Sequence, residues 1–196
     1  DLRKSLWQVL NTFVPYCLLW ALMLHSVQRD YPYWITLTFA ILAGGMMVRI
    51  FILFHDCCHG SFFSSRWGNK VLGYASGIFT FTAFEDWKYG HNSHHATAGD
   101  LDRRGVGDIW TLTKNEDLAA SAVTRLRYRI YRNPLILFGP GAALLFLIIQ
   151  RFPTKGAGKR ERRSVLFTNL ALLAIVALAA STIGFKTYLL IQLPII

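Results

Sequence analysis

Apolar residues along this chain gather into runs too long to be one face of a soluble domain. Leu6 to Leu24 (LWQVLNTFVPYCLLWALML) is the first, with Pro15 inside it, and Ile35 to Phe54 (ITLTFAILAGGMMVRIFILF) follows after the short polar turn SVQRDYPYW. About 20 apolar residues cross a bilayer as a helix, so the pattern predicts an antiparallel pair of spans over 6–24 and 35–54. Arg49 sits near the end of the second, where its stem can snorkel to the interface. Leu135–Ile149 and Val165–Ile183 predict a second hairpin, with spans over 135–149 and 165–183. Val71–Phe84 is shorter and is interrupted by Gly73 and Gly77. Apolar segments of about 14 residues are more often interfacial than spanning, so 71–84 is expected to dip into the membrane surface and return. That keeps the segments on either side of it in the same compartment.

The expected fold is therefore an all-α integral membrane helical bundle, one domain over 1–196. Composition agrees, since 53% of residues are hydrophobic and 16% charged, a more apolar balance than a soluble domain carries. The formal charge of +10 reads, in such a chain, as cytoplasmic loops facing anionic headgroups, and argues against a nucleic-acid partner. Arg125, Arg127, Arg129 and Arg132 lie along one such segment, within a polar region from Asp100 to Asn133. A second basic stretch, QRFPTKGAGKRERRS, sets two rules against each other: positive charge stays inside, whereas strict alternation of spans puts this loop outside. The Gly-Pro-Gly of Gly139, Pro140 and Gly141 leaves a broken or re-entrant helix open. Cys17, Cys57 and Cys58 show no disulfide framework and read as reduced thiols. The chain starts at Asp1 and stops inside the apolar run Leu189–Ile196, so both ends are expected to be cut.

Five of the six histidines fall in two clusters: His55 and His59 in HDCCH, and His91, His94 and His95 in HNSHH. Residues four apart lie about 40° apart around a helix, so each cluster aims its imidazoles to one side. Neutral imidazole suits Fe, Zn, Cu and Ni, and ligand type alone does not choose among them. Five imidazoles exceed the three or four ligands of a zinc site, which suggests two metals or one site built from several segments. Iron handling oxygen fits best at a site opening onto lipid. Each motif also has an ordinary reading, because two histidines on an exposed helix face arise by chance. The pairing of both clusters with membrane boundaries favours metal. His25, alone at the end of the first span, reads as an interfacial histidine. Asp56 and Asp86 are either acceptors that fix imidazole tautomers or solvated loop acids. Cys57 and Cys58 read as small packing residues ahead of metal ligands. Trp87, four residues before His91, either packs over its ring or is an interfacial aromatic.

At these residues a resemblance becomes specific. FHDCCHGSFF, followed by HNSHHATAGDLDRRGVGDIWTLT, resembles the first and second histidine boxes of the membrane fatty-acid desaturases, most closely the acyl-lipid Δ12 (omega-6) group. The likeness covers most of the chain. It implies a non-haem di-iron centre held on the cytoplasmic side by three histidine boxes, with His55 and His59 matching the first and His91, His94 and His95 the second. The third box has no counterpart before Ile196, so this resembles a fragment that is expected to be inactive alone. The resemblance further implies removal of two hydrogens from adjacent methylenes of a fatty acyl lipid, with O2 and with electrons from a ferredoxin or cytochrome b5-like donor. Nothing in the chain resembles a nucleotide fold or a cluster-binding cysteine pattern. A related di-iron hydroxylase or ketolase remains an alternative, as does a haem- or metal-binding membrane protein with no enzymatic role. No GxSxG hydrolase motif is present.

Overall fold

The computed structural model describes residues 1–105 and 108–196, and all regular structure among them is helical. Helix α1 (Leu2–Gln28) and helix α2 (Tyr33–His59) form the expected antiparallel pair. Both run past their apolar stretches, because hydropathy marks the part of a helix that meets lipid and says nothing of where its backbone bonds stop. The consequence matters at the C-terminal end of α2, where His55 and His59 are carried on the helix itself.

Burial in this bundle is inverted relative to a soluble protein. Leu6, Leu10, Val14, Leu18 and Leu22 form an exposed stripe along α1, whereas Thr12, Ser26, Thr36, Ser76, Thr82 and Thr168 are buried. Small and hydroxyl-bearing residues at helix contacts, with leucines outside, are what packing in lipid selects. Ser26 and Thr36 are hydrogen-bonded across the α1–α2 pair at 3.1 Å, and the buried hydroxyls of Ser76 and Thr80 bond to carbonyls one turn back. Ala40 and Ala43 let α2 come close to its neighbours in a core completed by Tyr16, Met23, Ile50, Ile191 and Ile195. Arg49 Nη2 donates to Asn11 Oδ1 on α1 at 2.9 Å, a polar tie across the helix pair.

The segment expected at the interface is the later part of one helix and the turn after it, ending at the first residue of the next helix. Helix α3 (Arg66–Phe79) packs along α2, and after a turn helix α4 (Phe84–Thr97) brings the chain back. The two interrupting glycines are close contacts. A Cβ on Gly73 would run into the Phe84 ring, and one on Gly77 would lie 2.5 Å from the Thr82 carbonyl oxygen.

The remaining elements are α5 (Lys114–Ala119), α6 (Ala122–Arg132), α7 (Pro134–Phe138), α8 (Pro140–Leu147), α9 (Lys159–Thr182) and α10 (Phe185–Ile195). Helix α10 was not foreseen; Gly184, at φ +87°, separates it from α9. Four stretches are long and apolar enough to cross a membrane: α1, α2, Pro134–Arg151 and α9. Pro134–Arg151 is broken at Gly139, and both its ends lie near the histidines. Arg132, just before it, shares a cavity with His91 and His94, while Thr154, just after it, bonds to Asp86 of α4. The basic stretch 150–164 therefore begins on the histidine side of the bundle.

Candidate metal centre

The end of α2 and the last turns of α4 meet. His59 Nε2 lies 3.2 Å from His55 Nε2, and His91 Nε2 lies 3.0 Å from the Nε2 atoms of His55, His59 and His95 alike. Donor atoms of these four imidazoles all fall within 4.8 Å of one another. A ring nitrogen carries either one proton or one lone pair, so His91 Nε2 can complete one hydrogen bond and no more. Three nitrogens around it at that distance are not a hydrogen-bond network. The arrangement suits a cation held among them. Nitrogens about 2.0–2.1 Å from a single metal ion are about 3.3 Å apart in a tetrahedron, close to the spacing here, and the donor set fits an imidazole-bound transition metal.

Burial and the neighbouring imidazoles of His55, His95, His59 and His94 hold His91 down to about 4. It is therefore neutral and ready to ligate at physiological pH. Trp87 stacks on its ring, with centroids 4.2 Å apart and planes 22° apart, and is itself wedged edge-on against Phe51 and Phe54 of α2. The aromatic packs over the ring, as one of the two sequence readings had it.

His94 takes another direction. Its Nδ1 contacts the Asp108 carboxylate, and its ring lies 6.2 Å from that of His91. The Asp108 carboxyl is held below its usual range, first by His94 and then by the Gly105 backbone N–H. A cavity of about 520 Å³ opens on His91 and His94 and is walled by Asp100, Arg104, Asp108 and Arg132. Arg104 pairs with Glu116, which also closes a capping box with Thr113 at the start of α5, and Glu116 is held down to about 2 chiefly by that guanidinium. Asp108 is a partner that motif reading missed: it is 14 positions from His94 along the chain, across a loop with no periodicity to signal the approach.

The acids nearer the histidines behave differently from each other. Asp56 Oδ1 lies 3.3 Å from His55 Nδ1, placed to accept from it. Asp86 touches no imidazole and is no solvated loop acid: it is buried and accepts the backbone N–H and hydroxyl of Thr154 at 2.9 and 2.8 Å. Beside it, buried Glu85 accepts from Arg160 at 2.7 Å, and its backbone N–H donates to Ser164 Oγ. Both acids occupy the first turn of α4, where the helix dipole favours them, and together they fix that helix against the segment leading into α9. Cys57 and Cys58 are buried packing residues with Phe54, Phe62 and Phe84. His25 is remote from the cluster and stacks edge-on with Tyr31.

The fatty acid desaturase family model matches residues 32–196. Over its whole length the chain is 46% identical to a fatty acid desaturase of Bacillus subtilis (strain 168), of which it covers 55%. It is 25% identical, over 71% of its length, to an sn-1 oleoyl-lipid 12-desaturase of Synechocystis, covering 38% of that protein. To an sn-1 acyl-lipid omega-3 desaturase (ferredoxin) of Nostoc it is 24% identical over 85% of its length. The chain thus spans about half the length of these relatives, or less. No solved structure matches.

Proposed function

This chain belongs to the fatty acid desaturase family, and from that premise we propose that it supplies ligands of a non-haem di-iron centre that desaturates a fatty acyl chain. The overall change is –CH2–CH2– + O2 + 2 electrons + 2 H⁺ → –CH=CH– + 2 H2O. Methylene hydrogens are not acidic, so acid–base catalysis has no starting point, and iron with oxygen supplies the hydrogen-abstracting oxidant. His55, His59, His91 and His95 would hold one iron. His94, turned toward the second cavity and oriented by Asp108, would serve the other. The observation that carries the reading is the convergence of the four Nε2 atoms.

The chain's own residues do the rest. Trp87, Phe51 and Phe54 close one side of the cluster with apolar surface, which keeps water from competing for a reactive centre. Asp56 and Asp108 orient imidazoles through their Nδ1 atoms. The substrate is a membrane acyl lipid, consistent with the lipid-facing helices. The electrons come from a ferredoxin or cytochrome b5-like protein attracted by the basic histidine side, which positive charge marks as cytoplasmic.

The test is product analysis. Expressed in full length with a ferredoxin reducing system, the protein is expected to convert saturated or monounsaturated lipid acyl chains to products with one more double bond, and to contain iron. Hydroxylated or keto products would instead assign the centre to oxygen insertion. A visible haem spectrum would overturn the reading.

A further inference from the structure

A cavity of about 430 Å³ lies beside His59, on the far side of α4 from the Asp108 loop, and its charged lining is entirely cationic: Arg66, Lys70, Lys88 and Arg160. Glu85, close by, is buried and already paired with Arg160, and Asp56 is turned to His55. Among the described residues, Arg66, Lys70 and Lys88 have no acidic partner.

Three features make this a built concavity. Arg66 and Lys70 are one turn apart at the start of α3, hence on one face. The loop beneath them is fixed by buried Asn69, whose amide bonds to the Gly60, Phe63 and Ser65 carbonyls and accepts the Phe63 N–H at 2.9 Å. Lys88 is half-buried, its Nζ 5.9 Å from the centre of the Phe84 ring, so its charge is held in place by apolar contact. Like charges gathered in one cleft repel one another, and an anion bound among them relieves that.

Position selects the anion. The cavity lies where α2 ends and where α3 and α9 begin, and the end of a spanning helix is where lipid headgroups are met. The negative charge fixed at that depth is phosphate, whose oxygens suit Arg and Lys donors. A half-open concavity of this size is large enough for a headgroup. We propose that this cleft binds the phosphate of a membrane phospholipid, holding one lipid molecule against the histidine end of the bundle.

The proposal rests on the membrane placement of α2 but not on desaturation, and metal content measured in the same samples separates the two. Full-length protein in nonionic detergent would be offered phosphatidylglycerol or a neutral galactosyl diacylglycerol with the same acyl chains, and retained lipid would be counted by native mass spectrometry. Wild-type protein is expected to retain one phosphatidylglycerol. Lys70→Gln/Lys88→Gln should retain it about tenfold less tightly, a tenfold loss being about 1.4 kcal/mol, with iron content unchanged. Arg66→Gln and Lys70→Gln, both at exposed positions, serve singly if the double variant does not fold, and each should weaken retention. Equal retention by wild type and variants would overturn the proposal, as would equal retention of the galactolipid. Release of the lipid by equimolar inorganic phosphate would reassign the cleft to a free anion and overturn it as well.

Discussion

Helix α2 delivers His55 and His59 from the end of 27 residues embedded in the bundle, whereas α4 delivers His91 and His95 from a helix of only 14. Behind the first pair lie Phe54, Cys57 and Cys58, buried with Phe62 and Phe84. Behind the second pair are directional bonds: Glu85 to Arg160, Asp86 to Thr154, and the face of Trp87 on His91. The same i, i+4 spacing is thus aimed by packing on one helix and by a few polar ties on the other. Dispersion contacts are many and individually weak, so the α2 pair should tolerate single changes around it. Each tie on α4 has no duplicate, and a buried acceptor's partner is costly to leave alone.

The largest effect expected is that of His91→Ala, because His91 Nε2 adjoins the Nε2 atoms of the other three histidines of the cluster. Because His91 also lines the cavity onto which His94 opens, both places should lose iron, which should fall to background, and unsaturated product should vanish. His94→Ala should also abolish product, yet it leaves the four-imidazole cluster intact, so iron should drop to about half rather than to nothing if two ions are bound as in two-metal sites. Full activity of the His94 variant would remove it from the centre. Equal iron loss in both variants would mean that the cluster and the Asp108 side are one site.

Acid should act mainly through the α4 side. With His91 held at about 4 against a reference of 6.5, the unfolded or metal-free open chain binds its proton first as pH falls. The contribution of the neutral ring is therefore fully present above about 6.5 and is lost progressively down to about 4. Metal release follows the same direction, since protons compete for the ligand nitrogen. Iron retained across that window, measured by titration with a chelator present, would contradict the ordering of His91 as the central imidazole.

Sequence carried the pairing of α1 and α2 and the two histidine clusters because both are periodic, local signals: about 20 apolar residues in a row, and imidazoles one turn apart. It did not carry the helix that runs unbroken through Gly73 and Gly77 to Phe79, since those glycines read as interruptions when their role is to admit Phe84 and the turn at Thr82. Nor did it carry the tie of Asp86 to Thr154 or of His94 to Asp108. These depend on which loop returns beside α4, and neither spacing nor residue type encodes that. The Gly-Pro-Gly break was visible in the chain, but its consequence, a basic loop returned to the histidine side, became definite only through Arg132 and Thr154 at its two ends.

Cutting a tie tests the contrast more gently than removing a ligand. Asp86→Ala leaves the Thr154 N–H without its acceptor, at a cost of about 1–3 kcal/mol, and should loosen α4 enough to weaken iron retention by about tenfold, the range for groups that orient ligands. Glu85→Gln should cost less, because Arg160 is mostly exposed and its freed end returns to water. A matching pair of changes on α2, Cys57→Ala and Cys58→Ala, should leave iron retention close to wild type. Equal losses from the two sets would erase the distinction between a packed helix and a tied one.

The smallest effect belongs to Trp87. An aromatic pair is worth about 0.5–1.5 kcal/mol beyond its buried area, so Trp87→Phe, which keeps a ring face for His91, should shift iron retention only a few-fold and leave the melting temperature nearly unchanged. Trp87→Leu keeps apolar volume but loses the face; the difference between these two variants isolates the stack from the wedge against Phe51 and Phe54. If Leu serves as well as Phe, Trp87 acts by filling space, as the residues behind α2 do, and α4 is aimed by its two buried acids alone.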